Sequence, residues 1–198
     1  MKCAITAHPS FVTEESCCLK NLEKKCSAHF TFRELIECGE TAKANPVWNM
    51  PNQQKTLQAL SGIAKNILDP LTERFAKPKL TYGLSCAANS VKISSRIAPK
   101  RDQHASYELS ASGRPICELG GAAVDFYIPG VDAATIAIFV ARSLPFDAMY
   151  YYGKDKPLHV SWSTMPRALI LEMRFRRDYQ RYFPAKRSIE RFIDVHGQ

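Results

Sequence analysis

Two histidines and one aspartate are residues whose chemistry could act together. His104 lies in the stretch "DQHASYE", His159 lies in "KPLHVSW", and Asp125 interrupts the apolar run "AAVDFYI". Zinc in catalytic sites is commonly held by three protein ligands of these types, and a fourth position is left for water. The three residues therefore form a candidate zinc site. The alternative is that they are unrelated residues of an ordinary fold.

Two of these residues fall in segments with strand patterns. The run "AAVDFYI" is rich in branched and aromatic residues and ends before Pro129 and Gly130, which is typical of a strand. The segments "DAMYYY" and "LHVSW" flank the turn-forming "GKDKP", which predicts a β-hairpin. Asp132 is placed to cap a helix over "AATIAIFVARS". We expect an α+β fold with a small antiparallel sheet and flanking helices.

Helical patterns precede and follow these strands. Thr31 and Glu34 form a capping box that predicts a short helix. Apolar residues recur at helical spacing over residues 53–75, and Pro70 is expected to bend or divide that long helix. The stretch "KLTYGLS" indicates a further strand, and Pro166 suits the first turn of a helix that would run to Met173.

Composition indicates one folded domain with additional segments at both ends. The chain has 198 residues, of which 45% are hydrophobic and 23% charged, enough to bury a single core. We expect a leader or cap segment over residues 1–29, a folded domain over 30–173 and a basic C-terminal tail over 174–198. No apolar run approaches the ~20 residues that a membrane span needs, and the N-terminus lacks the apolar stretch of a secretory signal. A cytoplasmic location with free thiols on the seven cysteines is expected.

The charge of the chain points to an anionic partner. Lys and Arg number 27 against 19 acids, which gives a formal net charge of +8. Much of this excess lies in residues 174–192, where basic residues alternate with Phe and Tyr. Such a stretch can follow a phosphate backbone while its rings stack on bases. The alternative is a solvated helical tail whose aromatic residues pack on the domain.

Several stretches resemble a known enzyme family. They are "FTFRELIECGET", "NILDPLTERFAKPKLTYGLS", "DQHASYE", "GGAAVDFYIPG", "LPFDAMYYYG" and "LHVSW". In this order they are similar to the landmarks of zinc peptidases that include D-alanyl-D-alanine carboxypeptidases and L-alanyl-D-glutamate endolysins, whose signature is S-x-H-x-x-G-x-A-x-D followed later by E/D-x-x-H. The resemblance covers roughly residues 30–173. It implies a hedgehog-like peptidase fold and a zinc ion held by His104, Asp125 and His159.

The chain departs from the signature in its spacing and in its acid. His104 and Asp125 are separated by a segment, broadly residues 105–119, that the family lacks. This insert either loops outward or covers the site. The family acid three positions before the last histidine is replaced by Lys156, so Asp155 and Glu108 are the candidates for proton transfer.

The family arginine that orients the substrate is also missing. The chain has "YGLS" where the family has G-Y-R-S. Arg96, Arg101 and Arg114 are the candidates for binding a substrate carboxylate in its place. Tyr151, within the three consecutive tyrosines 150–152, is a further candidate for lining the substrate cleft, and core packing is its alternative role.

The resemblance implies a zinc-dependent hydrolase that cleaves an amide bond. The expected substrate is a small peptide or a cell-wall fragment. The alternative function is a non-catalytic binding module, with structural zinc or none, whose basic surface binds an anionic partner such as nucleic acid.

Overall fold

The computed structural model describes residues 22–44, 49–90 and 99–197, and it has the α+β class that the sequence predicts. The elements in chain order are α1 (Phe32–Ile36), α2 (Glu40–Ala44), α3 (Gln54–Ile63), a π-helical segment (Ala64–Leu68), α4 (Asp69–Arg74), β1 (Lys79–Tyr82), α5 (Ala87–Ser90), two 3-10 turns (Pro99–Arg101 and Gln103–Ala105), β2 (Ala122–Tyr127), α6 (Ala133–Ser143), β3 (Ala148–Tyr151), β4 (Leu158–Trp162), β5 (Leu169–Arg176), a 3-10 turn (Arg177–Tyr179), β6 (Arg181–Arg187) and α7 (Ile189–His196).

The six strands form one mixed sheet in the order β1-β2-β4-β3-β5-β6. The predicted hairpin is present as β3 and β4, and the capped helix after β2 is present as α6. The expectation of an antiparallel sheet is wrong at one position, because β3 and β5 run parallel. β5 runs opposite to β4, as in a hairpin, but it lies beyond β3 in the sheet. Because β3 also runs opposite to β4, β3 and β5 are parallel.

One face of the sheet packs against the hydrophobic core, and the other carries the candidate metal ligands. Val124, Val160 and Met149 are fully buried on one face, where α3, α6 and α7 cover the main core. Side chains alternate between faces along a strand, so Asp125, His159 and Tyr150 lie together on the other face. The candidate zinc ligands are therefore kept out of the hydrophobic core.

The long helix over residues 54–74 is interrupted as Pro70 predicts. A π-helical turn, Ala64–Leu68, precedes Pro70, and the N–H of Asp69 donates to the carbonyl of Ala64. Proline lacks an N–H and crowds the preceding turn, so the wider π turn accommodates it without ending the helix. Within the part of the chain that the structure describes, no helix has both the length and the hydropathy to cross a bilayer.

The C-terminal region continues the sheet. The prediction of a helix from Pro166 to Met173 is wrong, because β5 begins at Leu169 and pairs with β3. The boundary placed after residue 173 falls inside β5, and residues 181–187 add β6. Helix α7 then returns to the core, where the Phe192 side chain is 1% exposed.

The described part of the N-terminal segment packs on α4. Ser27, Ala28 and His29 all donate hydrogen bonds to the carboxylate of Asp69 in the first turn of α4, at 2.8 to 3.2 Å. Cys26 is 5% exposed and Phe30 is 1% exposed. Residues 22–29 are thus anchored to the domain, while the rest of the predicted leader lies outside the described residues.

Candidate metal centre

Asp125 and His159 are cross-strand partners at the centre of the sheet. Asp125 on β2 is registered directly opposite His159 on β4. Opposed residues of an antiparallel pair have Cβ atoms only about 5 Å apart, so their side chains meet on one face. The carboxylate Oδ1 of Asp125 lies 2.7 Å from Nδ1 of His159. The strand register alone therefore supplies two adjacent ligand atoms.

His104 completes the group from a loop that lies over this face. Its Nε2 lies 3.2 Å from Nδ1 of His159 and 3.3 Å from Oδ1 of Asp125. Its Nδ1 lies 2.7 Å from the carbonyl oxygen of Gly83. A carbonyl only accepts hydrogen bonds, so Nδ1 carries the proton and Nε2 is left to bind a metal. The three ligand atoms all lie within 4.8 Å of one another, and the group could hold a metal ion.

The His104 loop is fixed by hydrogen bonds from its own neighbours. The Asp102 carboxylate accepts from the N–H of His104 at 3.1 Å, and Gln103 donates to the carbonyl of Gly120 at 2.9 Å. Ser106 donates to the carbonyl of Gly121 at 2.6 Å, with a backbone φ of +50°. Gly121 has φ +80°, and a side chain there would clash with the Trp162 carbonyl oxygen. The glycines of the family-like "GGAAVD" stretch thus let the loop close against β2.

The insert loops outward and leaves the ligands in place. Leu109 and Pro115 form an antiparallel bridge, and Ser110 and Gly113 close a turn between them. Residues 111–115 are exposed. Of the two alternatives for this segment, the structure shows an outward loop, and His104 and Asp125 meet although the segment separates them in the sequence.

Tyrosine rings pack against both histidine ligands. The ring of Tyr82 lies 4.3 Å from that of His104, and the ring of Tyr150 lies 4.5 Å from that of His159, measured between centroids. Tyr152 follows two residues after Tyr150 and so lies on the same side of the chain. Burial raises the pKa of Tyr152, and the charge of Asp125 adds to this effect. These rings restrict the rotation of the imidazoles and form an aromatic wall next to the ligands.

The electrostatics of the group favour a cation. Burial opposes the charge on His104, but the adjacent Asp125 carboxylate outweighs it and raises the His104 pKa. Burial would raise the pKa of Asp125, but His104 and His159 hold it well below its usual range. Positive charge is therefore stabilised among the three ligand atoms.

The donor set fits a zinc ion with one open side. Ligands about 2.0–2.2 Å from a tetrahedral zinc lie about 3.3 Å from one another. The two distances from Nε2 of His104 match that spacing, and the separation of His159 from Asp125 is shorter. The side chain of His104 is 5% exposed, that of His159 is 13% exposed and that of Asp125 is 32% exposed. The group is closed on the side of His104 and open on the side of Asp125.

Glu108 is committed to the start of α3. Its buried carboxylate accepts from the backbone N–H groups of Asn52 and Gln53 at 3.1 to 3.2 Å and from the Thr56 hydroxyl at 2.8 Å. A carboxylate at a helix N-terminus satisfies N–H groups that have no partner within the helix. This geometry makes Glu108 a capping residue, in contrast to the predicted role in proton transfer.

Asp155 and Tyr151 do not lie with the ligands. Asp155 is exposed in the turn between β3 and β4, and its charge acts on Tyr151. Tyr151 is 5% exposed and packs on Phe192 and His196, on the face opposite to Tyr150. Because strand side chains alternate, Tyr151 has the core role that was its alternative, and Tyr150 is the tyrosine on the face of the ligands.

The three candidate arginines have separate positions. Arg101 is exposed at the end of a 3-10 turn, three residues before His104. Burial raises the pKa of Tyr150, and the positive charge of Arg101 opposes this rise. Arg114 is exposed on the insert and bonds to Ser112. Arg96 lies outside the described residues.

The sequence interpretation did not identify two residues that lie near the site. Asp102 caps the turn of His104, and its charge acts on Tyr150 and Tyr152. Its position two residues before His104 in a polar stretch is the N-cap signal that could have found it. Tyr82 has no comparable signal, because only the pairing of β1 with β2 registers it against Asp125.

Comparisons of the chain with protein-family models, with curated proteins and with solved structures gave no significant match. The α+β class, the mixed sheet and the three-residue metal group are features of the structure itself. The relation to the hedgehog-like peptidase fold stays a prediction from the sequence resemblance.

Proposed function

We propose that this protein is a zinc-dependent hydrolase. The observation that carries the proposal is the convergence of His104, Asp125 and His159, from a loop and two strands, with the ligand atoms within 4.8 Å of one another and one side open. The side-chain oxygen and nitrogens form a donor set that zinc accepts, and three protein ligands with an open fourth position are typical of catalytic rather than structural zinc.

The protein residues would hold and orient the substrate beside the metal. A zinc ion in this group would supply Lewis-acid chemistry, polarising a carbonyl and lowering the pKa of a water molecule. Tyr150 and Tyr152 would form the wall against which the substrate lies. Arg101 has no described ion pair and would bind a substrate carboxylate by paired hydrogen bonds.

Proton transfer needs a carboxylate close to the reacting atoms. Glu108 is occupied at α3, and Asp155 is exposed in the turn between β3 and β4 and is not part of the ligand group. Asp102 lies next to the group, since its carboxylate accepts a hydrogen bond from the backbone N–H of the ligand His104 at 3.1 Å. It is therefore the first carboxylate to test beside the two sequence candidates.

The substrate class follows from the sequence resemblance. We propose an amide bond in a small peptide, such as a cell-wall fragment that contains a D-amino acid. The open side at Asp125 and the nearby guanidinium of Arg101 suit a short substrate with a free carboxylate.

The test combines metal analysis with a panel of peptides. Purified protein should retain zinc at one ion per chain after dialysis and should hydrolyse at least one D-amino-acid dipeptide or muropeptide fragment. Asp125→Asn should abolish the hydrolysis. Arg101→Ala should raise KM with little change in kcat, and Glu108→Gln should keep kcat. Iron in place of zinc, or zinc-loaded protein that cleaves no peptide of the panel, would contradict the proposal.

A second function, a non-catalytic metal-containing binding module, is favoured by one observation. The position of the family acid is Lys156, which is exposed in the turn before β4. A site without its proton acceptor keeps the metal but loses much of the catalysis. If His104→Ala lowers the melting temperature of a protein that shows no hydrolysis on the panel, this second function replaces the first.

A further inference from the structure

Strands β5 and β6 extend beyond the rest of the sheet. The pairing of β3 with β5 ends at Tyr151 opposite Glu172, whereas β5 and β6 remain paired from Ile170–Arg187 to Arg176–Arg181. Residues 173–184 therefore form a two-stranded ribbon, closed by the 3-10 turn Arg177–Tyr179, that pairs with no third strand among the described residues. Both faces of such a ribbon are accessible to a partner.

The ribbon carries exposed aromatic rings and a concentration of positive charge. Phe175 is 48% exposed and Tyr179 is 57% exposed. Four arginines stand against the single acid Asp178 within residues 173–184, a net charge of +3 in a chain of +8. Large exposed aromatic residues grouped on one element indicate an interaction surface, and the charge indicates that the partner is anionic.

One face of the ribbon combines guanidinium groups with rings. The guanidinium of Arg176 lies 4.9 Å from the ring centroid of Tyr179 and 5.7 Å from that of Phe183. Arg181 lies 4.6 Å from the Phe183 ring. Stacking on a ring keeps the planar guanidinium in place. Arg176 also donates a hydrogen bond to the exposed carboxylate of Asp178 at 3.0 Å.

The other face of the ribbon is aromatic. Phe175 and Tyr182 are cross-strand partners with ring centroids 5.2 Å apart, and Tyr182 contacts Tyr152 at 5.0 Å. Rings are thus available on both faces, while the cations lie on one face and at the turn. A flat lipid surface or a double-stranded helix would engage only one face of this ribbon.

We propose that the ribbon is a binding site for single-stranded nucleic acid. Its arginines would contact the phosphates, and Phe175, Tyr179 and Tyr182 would stack on unpaired bases, which expose planar faces that a duplex hides. Acidic peptides supply charge but few planar faces. The ribbon contains none of the metal ligands, although Tyr182 contacts Tyr152 beside the metal group. The proposal does not depend on the hydrolase function.

The test is binding of labelled oligonucleotides, followed by fluorescence anisotropy. Oligo-dT and oligo-U of about 20 nucleotides should bind, because base stacking tolerates sequence. Log K should fall linearly with log salt, and four arginine contacts predict a slope of about −2 to −3 for a single strand. A duplex of the same length should bind more weakly.

Point variants separate the contribution of ring stacking from that of phosphate contacts. Tyr179→Ala should weaken binding about tenfold at each salt concentration and leave the slope unchanged, since it removes stacking. Arg181→Ala should reduce the slope by about 0.7, since it removes one phosphate contact. Arg142→Ala is the matched control, because it removes an exposed arginine on α6 and should change neither quantity. Circular dichroism should show that all three variants are folded.

Three results would overturn the proposal. Absence of binding at about 50 mM salt would exclude a nucleic-acid site of this charge. Tighter binding of the duplex would exclude stacking on unpaired bases. Binding to phosphatidylserine vesicles that excess oligonucleotide does not displace would assign the ribbon to a lipid surface. Metal-free His104→Ala should bind oligonucleotides like the wild type, so this test and the test of the hydrolase can fail independently.

Discussion

The metal group and the ribbon occupy the same sheet but differ in how their side chains are held. Asp125 and His159 lie on neighbouring strands inside the sheet, and His104 lies on a loop that is held by its own hydrogen bonds. On the ribbon, at the edge of the sheet, the described contacts of the Arg176 and Arg181 side chains are with neighbouring rings and with the exposed Asp178.

This difference follows from position in the sheet. A residue within the sheet is restricted by strands on both sides and by the layer above it, so its ligand atoms can be fixed within a fraction of an ångström. A residue at the extended edge has neighbours on one side and water on the other. Metal binding needs side chains that are fixed within the sheet, whereas a flexible polymer can bind side chains that are free to move at its edge.

The largest expected effect is on metal binding by His104→Ala. Loss of residues that only support a ligand costs about 10- to 100-fold in metal affinity, so loss of His104 itself should cost at least about 100-fold, or about 2.8 kcal/mol. Competition with a chelator and elemental analysis after dialysis measure this. His29→Ala is the control, because His29 contacts Glu73 away from the group. Equal zinc content in wild type and His104→Ala would contradict the assignment of the site.

Glu108→Gln tests whether that carboxylate is structural. The amide group of Gln would face backbone N–H groups that now donate to a carboxylate, which should lower the free energy of unfolding by about 1–3 kcal/mol. Zinc affinity should stay within about twofold, since Glu108 is not a ligand. Urea unfolding and the chelator assay provide the two measurements. A loss of hydrolysis with unchanged stability would instead make Glu108 a residue of the active site.

Asp147 and Arg167 form an ion pair just before β3 and β5, the two strands that lie between the metal group and the ribbon. Burial alone would raise the pKa of Asp147, but the hydrogen bonds and charge of Arg167 hold it below its usual value. Since the folded-state pKa is lowered, the stabilisation is present above about pH 4 and is lost as the pH falls through the folded-state pKa.

Arg167→Met should therefore lower the free energy of unfolding by about 1–2 kcal/mol near neutral pH and by progressively less in acid. Urea unfolding of both proteins between about pH 2.5 and 7 measures the difference. Arg142→Met is the matched control. A difference that is constant over this range would show that packing, rather than the charge of Asp147, is responsible.

The smallest expected effect is on stability when the ribbon is changed. Arg181→Ala should alter the free energy of unfolding by no more than about 0.5 kcal/mol, because the side chain is exposed and its contact with Phe183 is local. Thermal unfolding measures it. A destabilisation above about 1 kcal/mol would mean that the ribbon supports the fold, and would remove the contrast between the two regions.

Much of the local structure was predictable from the sequence. The capping box at Thr31, the cap at Asp132, the hairpin of β3 and β4 and the effect of Pro70 were all predicted, because each depends on residues a few positions apart. The prediction of a helix from Pro166 to Met173 was wrong, because β5 (Leu169–Arg176) occupies most of that segment. Pairing with β3 and β6 decides that segment, and neither strand is adjacent to it in the sequence.

The same distinction separates the ligands from the residues around them. The residue types of His104, Asp125 and His159, and the alternation that places Asp125 and His159 on strand faces, are determined by the sequence. Only the tertiary structure decided that the insert loops outward, that Glu108 caps α3, and that Tyr150 rather than Tyr151 faces the ligands. Local periodicity is a property of neighbouring residues, whereas convergence depends on strand register and loop closure, which are set by contacts between distant parts of the chain.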